Sequence, residues 1–163
     1  MSEIVRFQEL GAIEEEIGSL YSVIETKLST LIPFASIDHI GSTSIPGSVT
    51  KGDLDIGLSV PETKFREALS LLDSQYSRNT ASLSTDQYQP FIASHGSQEV
   101  AIQLFVGGTI FEKRFLFWRD ELIKNPGLLS RYNALKLKYE GKAMTEYRDA
   151  KSQFIRAYIQ DDA

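Results

Sequence analysis

Apolar residues recur every three or four positions early in the chain, at Ile13, Ile17, Leu20, Tyr21, Ile24, Leu28 and Leu31. That spacing gathers them on one helical face and predicts a long amphipathic helix ending before Pro33. Phe34 to Ile40 is predicted as a first strand. The period then shortens. From Asp53 to Val60, the apolar residues Leu54, Ile56, Leu58 and Val60 alternate with Asp53, Asp55, Gly57 and Ser59. A strict period of two predicts a strand with one face packed and the other open. Between these strands, Gly41 to Gly52 is rich in Gly, Ser, Thr and Pro, and is predicted as a loop or a loop with a helical turn.

Pro61 ends the alternating strand, and Phe65, Ala68, Leu69 and Leu72 predict a second helix. Tyr88 to Ser94 and Gln98 to Val106 are predicted as two strands joined through His95, Gly96 and Ser97. Beyond Gly107 and Gly108 the pattern is helical. Phe111, Phe115, Trp118 and Leu122 mark one helix; Leu128, Leu129, Tyr132, Leu135 and Tyr139 the next; Tyr147, Ala150, Phe154 and Tyr158 the last. Asn125 followed by Pro126 reads as an N-cap and first helical residue. This order predicts an α/β (α+β) protein, a mixed sheet with packed helices and a helical C-terminal third. With 163 residues, one domain over 1–163 is expected, with 1–108 forming a helix-and-sheet core and 109–163 helices packed on it.

Composition narrows the function. Without cysteine there are no disulfides and no Cys-based zinc sites, and His39 and His95 are too few for a His-rich metal site. A net charge of -5 argues against a broad duplex nucleic-acid surface. No apolar run reaches the roughly 20 residues of a membrane span. The N-terminal Met1-Ser2-Glu3-Ile4-Val5-Arg6 lacks a signal-peptide pattern, so a cytoplasmic location is expected.

The chemistry concentrates in one stretch. Gly41 and Ser42 follow a strand; ten residues intervene between Ser42 and Asp53, and Asp55 stands two positions after Asp53 on a strand. Side chains at i and i+2 share a strand face, so the two carboxylates become neighbours, and neighbouring carboxylates repel unless a cation bridges them. Magnesium suits such a pair, because it takes one or two carboxylates together with substrate phosphates. The Gly-Ser turn offers backbone N–H groups and a hydroxyl to phosphate oxygens. Either motif alone is common in strands and turns; the reading rests on their order and spacing. Lys51 could neutralise phosphate, and Lys151 or Arg119 could reach a triphosphate if the C-terminal helices fold over the sheet. Lys136 and Arg156 lie on the same helices, where lysine and arginine are usually solvated. His39, at a strand end, reads as structural, and His95 as exposed. The aromatic residues of the last third read first as packing between helices.

The wording of these motifs adds a resemblance. His39-Ile40-Gly41-Ser42-Thr43-Ser44-Ile45-Pro46-Gly47 looks like the signature of the GrpB family of bacterial proteins, and Thr50-Lys51-Gly52-Asp53-Leu54-Asp55 resembles its continuation in one branch. Phe117 to Leu122, Asn125-Pro126, Tyr132, Leu135 and Lys136 resemble its helical block, and Tyr147 to Ile155 its closing motif. The resemblance implies a nucleotidyltransferase-like fold in a largely uncharacterised family. It implies no settled activity; the residues themselves give the expected phosphate contacts at Gly41, Ser42, Thr43, Lys51 and Lys151, and the expected catalytic, metal-binding roles of Asp53 and Asp55. Active nucleotidyltransferases of this kind use a third carboxylate on a later strand. Here that strand offers Gln103 and Phe105; Glu99 shares the face of Gln103 and could join the metal set, but near the strand start it reads first as a surface residue. In other branches of the family the acidic pair falls at the positions of Asp55 and Gly57, so Asp55 is the firmer metal candidate.

Three functions are therefore open. The first is a magnesium-dependent nucleotidyltransferase acting on a nucleoside triphosphate and a small acceptor. The second is a non-catalytic module that binds a nucleotide or phosphometabolite. The third is a protein-interaction accessory domain.

Overall fold

The computed structural model describes residues 3–161, with side chains to residue 159. Residues 1, 2, 162 and 163 lie outside the described residues, including the ends of the expected 1–163 domain and the start of the Met1–Arg6 segment. The elements run in the order β1 (Gln8–Glu9), α1 (Glu14–Leu31), β2 (Ser36–Ile40), β3 (Val49–Thr50), β4 (Leu54–Val60), α2 (Phe65–Asp73), β5 (Ser77–Arg78), β6 (Tyr88–His95), β7 (Gln98–Val106), α3 (Ile110–Glu112), α4 (Trp118–Lys124), α5 (Pro126–Lys138) and α6 (Met144–Asp161). A π-helical stretch, Lys113–Phe117, joins α3 to α4. The expected mixed α/β architecture with a helical C-terminal third is met.

Five strands form one sheet in the order β2-β4-β7-β6-β5, with β4 and β7 parallel and the other neighbours antiparallel. The alternation read from the sequence sets what each face does. Leu54, Ile56, Leu58 and Val60 of β4 are buried in the main core, with Ile17, Leu20, Ile24 and Leu28 of α1 and Phe65, Ala68 and Leu72 of α2. Burying a side chain of this size contributes about 1.5–3 kcal/mol, so this face holds the sheet to α1 and α2.

The opposite face is not simply open. Phe105 of β7 stacks on Phe115 at 5.7 Å and Tyr88 of β6 on Phe111 at 4.7 Å, which seats the α3–α4 segment against it. A second core ties the helices together: Trp118, Leu122, Leu128 and Tyr132 are buried around Ile45 of the loop after β2. Trp118 meets Tyr132 and Phe154 edge-on, at 5.3 and 6.1 Å. The helical third therefore roofs the polar face of β4 and leaves a pocket between sheet and helices. Gly96 and Ser97 make the β6–β7 turn, where Gly96 takes φ 64°.

The segment 41–52 is a loop with a helical turn, as expected, the turn being the 3-10 stretch Ser42–Ser44. The addition is the strand β3, which pairs antiparallel with β1. Two-residue strands are too short to leave a periodic signal. Asn133 of α5 fixes this segment from outside. Its side chain accepts from the Val49 N–H at 3.0 Å and donates to the Gly47 carbonyl at 3.0 Å.

Candidate functional site

The site begins where β2 ends. Ile40 pairs with Asp55 across the β2–β4 ladder, so the next residue, Gly41, lies beside the Asp55 side chain. Gly41 has φ 74° and ψ -177°, a conformation essentially reserved for glycine. A Cβ there would stand 2.9 Å from both Cβ and Cγ of Asp55 and would collide with its Oδ2. The missing side chain is what lets the carboxylate reach the bend.

Hydroxyl groups fix the bend to the acidic strand. Thr43 Oγ1 donates to the Asp53 carbonyl at 3.1 Å and pairs with His39 Nε2 at 2.9 Å. The hydroxyls of Ser42 and Thr50 share a hydrogen bond of 2.7 Å. Ser44 donates to the Gly41 carbonyl at 2.6 Å, and Ser48 to the Ser42 carbonyl. His39 also stacks on Tyr21 at 4.8 Å. Burial, and secondly the Arg119 charge, lower its pKa to about 4, so it is neutral at pH 7 and serves the loop.

Around the bend lies a pocket of about 210 Å³. Its lining includes Gly41, Ser42, Asp53 and Asp55 together with the basic residues Lys51, Arg114, Arg119, Lys136 and Lys151. The chain as a whole has 17 basic and 22 acidic residues, whereas this pocket has five basic residues against two carboxylates. Such an excess of basic groups in one hollow favours an anionic ligand. The aromatic wall, Phe115, Trp118, Tyr132 and Tyr147, belongs to both the helix packing and the pocket.

The two aspartates have different surroundings. Asp53 immediately precedes β4, and its carboxylate lies 3.5 Å from Lys51 Nζ. Asp55 lies deeper. Burial raises its pKa to about 6, the charges of Asp53 and Glu99 add to the rise, and Lys151 and Lys51 oppose it.

Lys136 is 2% exposed, although the residue lines the pocket. The amine donates to the Val49 carbonyl at 2.7 Å and lies 4.4 Å from the centroid of the Tyr132 ring. Burial first, then the nearby Lys151 and Lys51 charges, lower its pKa to about 7. Gln103 also lines the pocket, and its Oε1 accepts from the Tyr88 hydroxyl at 2.6 Å.

The structure thus brings Gly41, Ser42, Lys51, Asp53, Asp55 and Lys151 to one pocket. Two other sequence candidates are placed differently. The Thr43 side chain is buried beneath the bend, between His39 and the Asp53 carbonyl. Glu99 is exposed on β7, outside the pocket lining, and acts on Asp55 only through its charge. Arg119 lines the pocket while donating to the His39 carbonyl at 3.0 Å and to Asp38 at 3.3 Å. Sequence reasoning did not reach Arg114, and it left Lys136 among the surface lysines. A signal for Lys136 was present. It lies four residues after Tyr132 and eight after Leu128, in the buried stripe of α5.

Asp53 and Asp55 fit a magnesium ion that arrives with phosphate. Both face one pocket, and the raised pKa of Asp55 marks a carboxylate that a cation would stabilise. They do not form a complete protein cage: among the described residues no group of three or more His, Cys, Asp or Glu is placed to hold a metal. Magnesium commonly completes such a partial set with substrate oxygens and water.

Fold and pocket together define a mixed α/β protein with a hollow rich in basic residues between its sheet and its C-terminal helices. The GrpB protein family matches residues 9–161, and the chain belongs to that family. It is 36% identical over 160 residues to a UPF0157 protein of Vibrio cholerae, covering 98% of this chain and 84% of that one. The crystal structure of the conserved protein GrpB from Enterococcus faecalis shares the fold, with TM-score 0.66 at 19% identity over 93% of this chain and 98% of that one. A looser overlap, TM-score 0.48 at 12% identity, covers 75% of this chain but 37% of Cid1, described as an RNA terminal uridylyl transferase. No helix among the described residues is long and apolar enough to cross a membrane.

Proposed function

We propose that this pocket takes a nucleoside triphosphate together with magnesium and transfers the nucleotidyl group to a small acceptor. The observation that carries the proposal is the contact of the Asp55 carboxylate with the Gly41 bend inside a hollow lined by five basic residues. The volume of about 210 Å³ is below the ~300–1,000 Å³ of most small-molecule sites, so the pocket holds the phosphate tail and leaves the nucleoside toward its mouth. Ser42, fixed by Thr50, meets the terminal phosphates with the backbone of the bend, and Lys51 and Lys151 neutralise their oxygens. Asp53 and Asp55 hold the cation, which when bound offsets phosphate charge and polarises the phosphorus. The acceptor oxygen forms a bond to the α-phosphorus as the bond to pyrophosphate breaks. A carboxylate oxygen of one of the two aspartates, left free by the cation, would receive the acceptor proton. The setting that suits this reading is the cytoplasm, with neither a duplex nucleic acid nor a membrane as partner.

A second reading keeps the ligand and drops the chemistry. It is favoured by Gln103, an uncharged amide held by Tyr88 where nucleotidyltransferases use a third carboxylate. Thermal unfolding with each nucleoside triphosphate, with and without magnesium, tests both. A ligand bound only to the native state at ~100 times its Kd adds about 2.7 kcal/mol. Magnesium-dependent stabilisation, with pyrophosphate released once a pool of small metabolites is added, is the expected result. Stabilisation without pyrophosphate supports the module, and no stabilisation by any triphosphate contradicts both readings.

A further inference from the structure

We infer that Lys136 is a proton-coupled anion ligand: its amine stays neutral while the pocket is empty and takes up a proton when a polyphosphate binds. The inference rests on the phosphate reading of the pocket and adds a residue and a linkage to it.

The geometry comes first. Lysine is almost never fully buried unless paired. Lys136 is 2% exposed, and among the described residues no carboxylate lies within ion-pair distance of its amine. Its polar partner is one neutral carbonyl, that of Val49. Its aromatic partner is Tyr132 on its own helix. The charged groups sharing the pocket are Lys51 from the segment before β4, Lys151 from α6, Arg114 and Arg119 from the α3–α4 segment, and Asp53 and Asp55 beside β4. Tyr132 of α5 and Tyr147 of α6 are the remaining titratable groups in the lining. Burial and the two neighbouring lysines both disfavour an ammonium at position 136, and they lower its pKa to about 7.

A polyphosphate reverses that balance. It brings several negative charges into a hollow of about 210 Å³ and offsets the repulsion from Lys51 and Lys151. The ammonium form of Lys136 then becomes the favoured one, as for any cation given an anionic neighbour. Binding and protonation are linked, so affinity rises as pH falls through the range in which the free amine titrates. The sign follows from the neutral starting state: protons are taken up on binding, and the uptake vanishes at a pH where the empty pocket already holds an ammonium.

Calorimetric titration of the full chain with inorganic tripolyphosphate, in buffers of different ionisation enthalpy, measures the protons exchanged. The wild-type protein near pH 7.5 should take up more protons than Lys136→Met, by up to about one per site. Lys136→Arg, whose guanidinium keeps its proton, should bind with the same low uptake as Lys136→Met. Measured as the difference from Lys136→Met, so that the titrations of Asp55 and of the ligand cancel, the extra uptake should disappear toward pH 5. Equal uptake in wild type and both variants, or an excess over Lys136→Met that persists unchanged at pH 5, overturns the inference while leaving a phosphate site standing. Absence of tripolyphosphate binding overturns the phosphate reading and this inference together.

Discussion

Asp55→Asn is expected to make the ligand-free protein more stable at neutral pH while removing its function. The Asp55 pKa is raised to about 6 in the folded state, chiefly by burial. A raised carboxyl pKa contributes stability that is fully present below the unfolded value of about 3.9 and is lost as pH rises through the folded value. At pH 7.5 the wild-type protein therefore carries an ionised group that its fold disfavours. A shift of roughly two units corresponds to about 2–3 kcal/mol. Asparagine has nearly the same shape and does not titrate. Urea unfolding from about pH 4 to about pH 8 should show the variant's advantage near zero at the acid end and growing to a plateau above about pH 6. The same variant should lose magnesium-dependent stabilisation by triphosphate, with any nucleotidyl transfer falling at least ~100-fold. A variant less stable than wild type at pH 7.5 would mean that Asp55 has compensating partners in the folded state.

Gly41→Ala is expected to be the most damaging single-methyl change in the site. Two costs add. The backbone at φ 74° and ψ -177° strains any residue with a side chain, by about 1–3 kcal/mol. The new methyl would also stand 2.9 Å from Asp55 Cβ and Cγ, and Asp55 cannot retreat without moving β4. The sum should reach about 3 kcal/mol or more, with the phosphate response lost, because bend and carboxylate must separate. Gly96→Ala is the control. Gly96 has φ 64°, and a methyl added there would meet no atom within 4 Å, so the change should cost only the backbone strain of about 1 kcal/mol and leave phosphate binding intact.

These effects trace to residues that the sequence exposes to different degrees. The β4 alternation was legible, because a period of two persists over seven residues and the apolar half packs on α1 and α2. The Gly-Ser bend and the Asp53–Asp55 pair were legible for the same reason, since two strand ends fix where they meet. The β1–β3 pair and β5 were not, because two residues carry no period. The roofing of the polar face depends on aromatic contacts between distant segments, such as Phe105 with Phe115, which no local pattern records. The positive character of the pocket was hidden for a related reason. Lys51, Arg114, Lys136 and Lys151 are separated by up to a hundred residues and meet only through the fold. Lys51 was marked by its place beside the acidic pair, and Lys136 by its place inside an apolar helical stripe.

The central claim is tested most directly by a crystal structure of the protein with magnesium and a non-hydrolysable nucleoside triphosphate. The phosphate tail should lie against Gly41 and Ser42, with one metal ion touching both Asp53 and Asp55 and with Lys51 and Lys151 on phosphate oxygens. Density for the nucleotide elsewhere, or a filled pocket in which the metal ignores both aspartates, would contradict it.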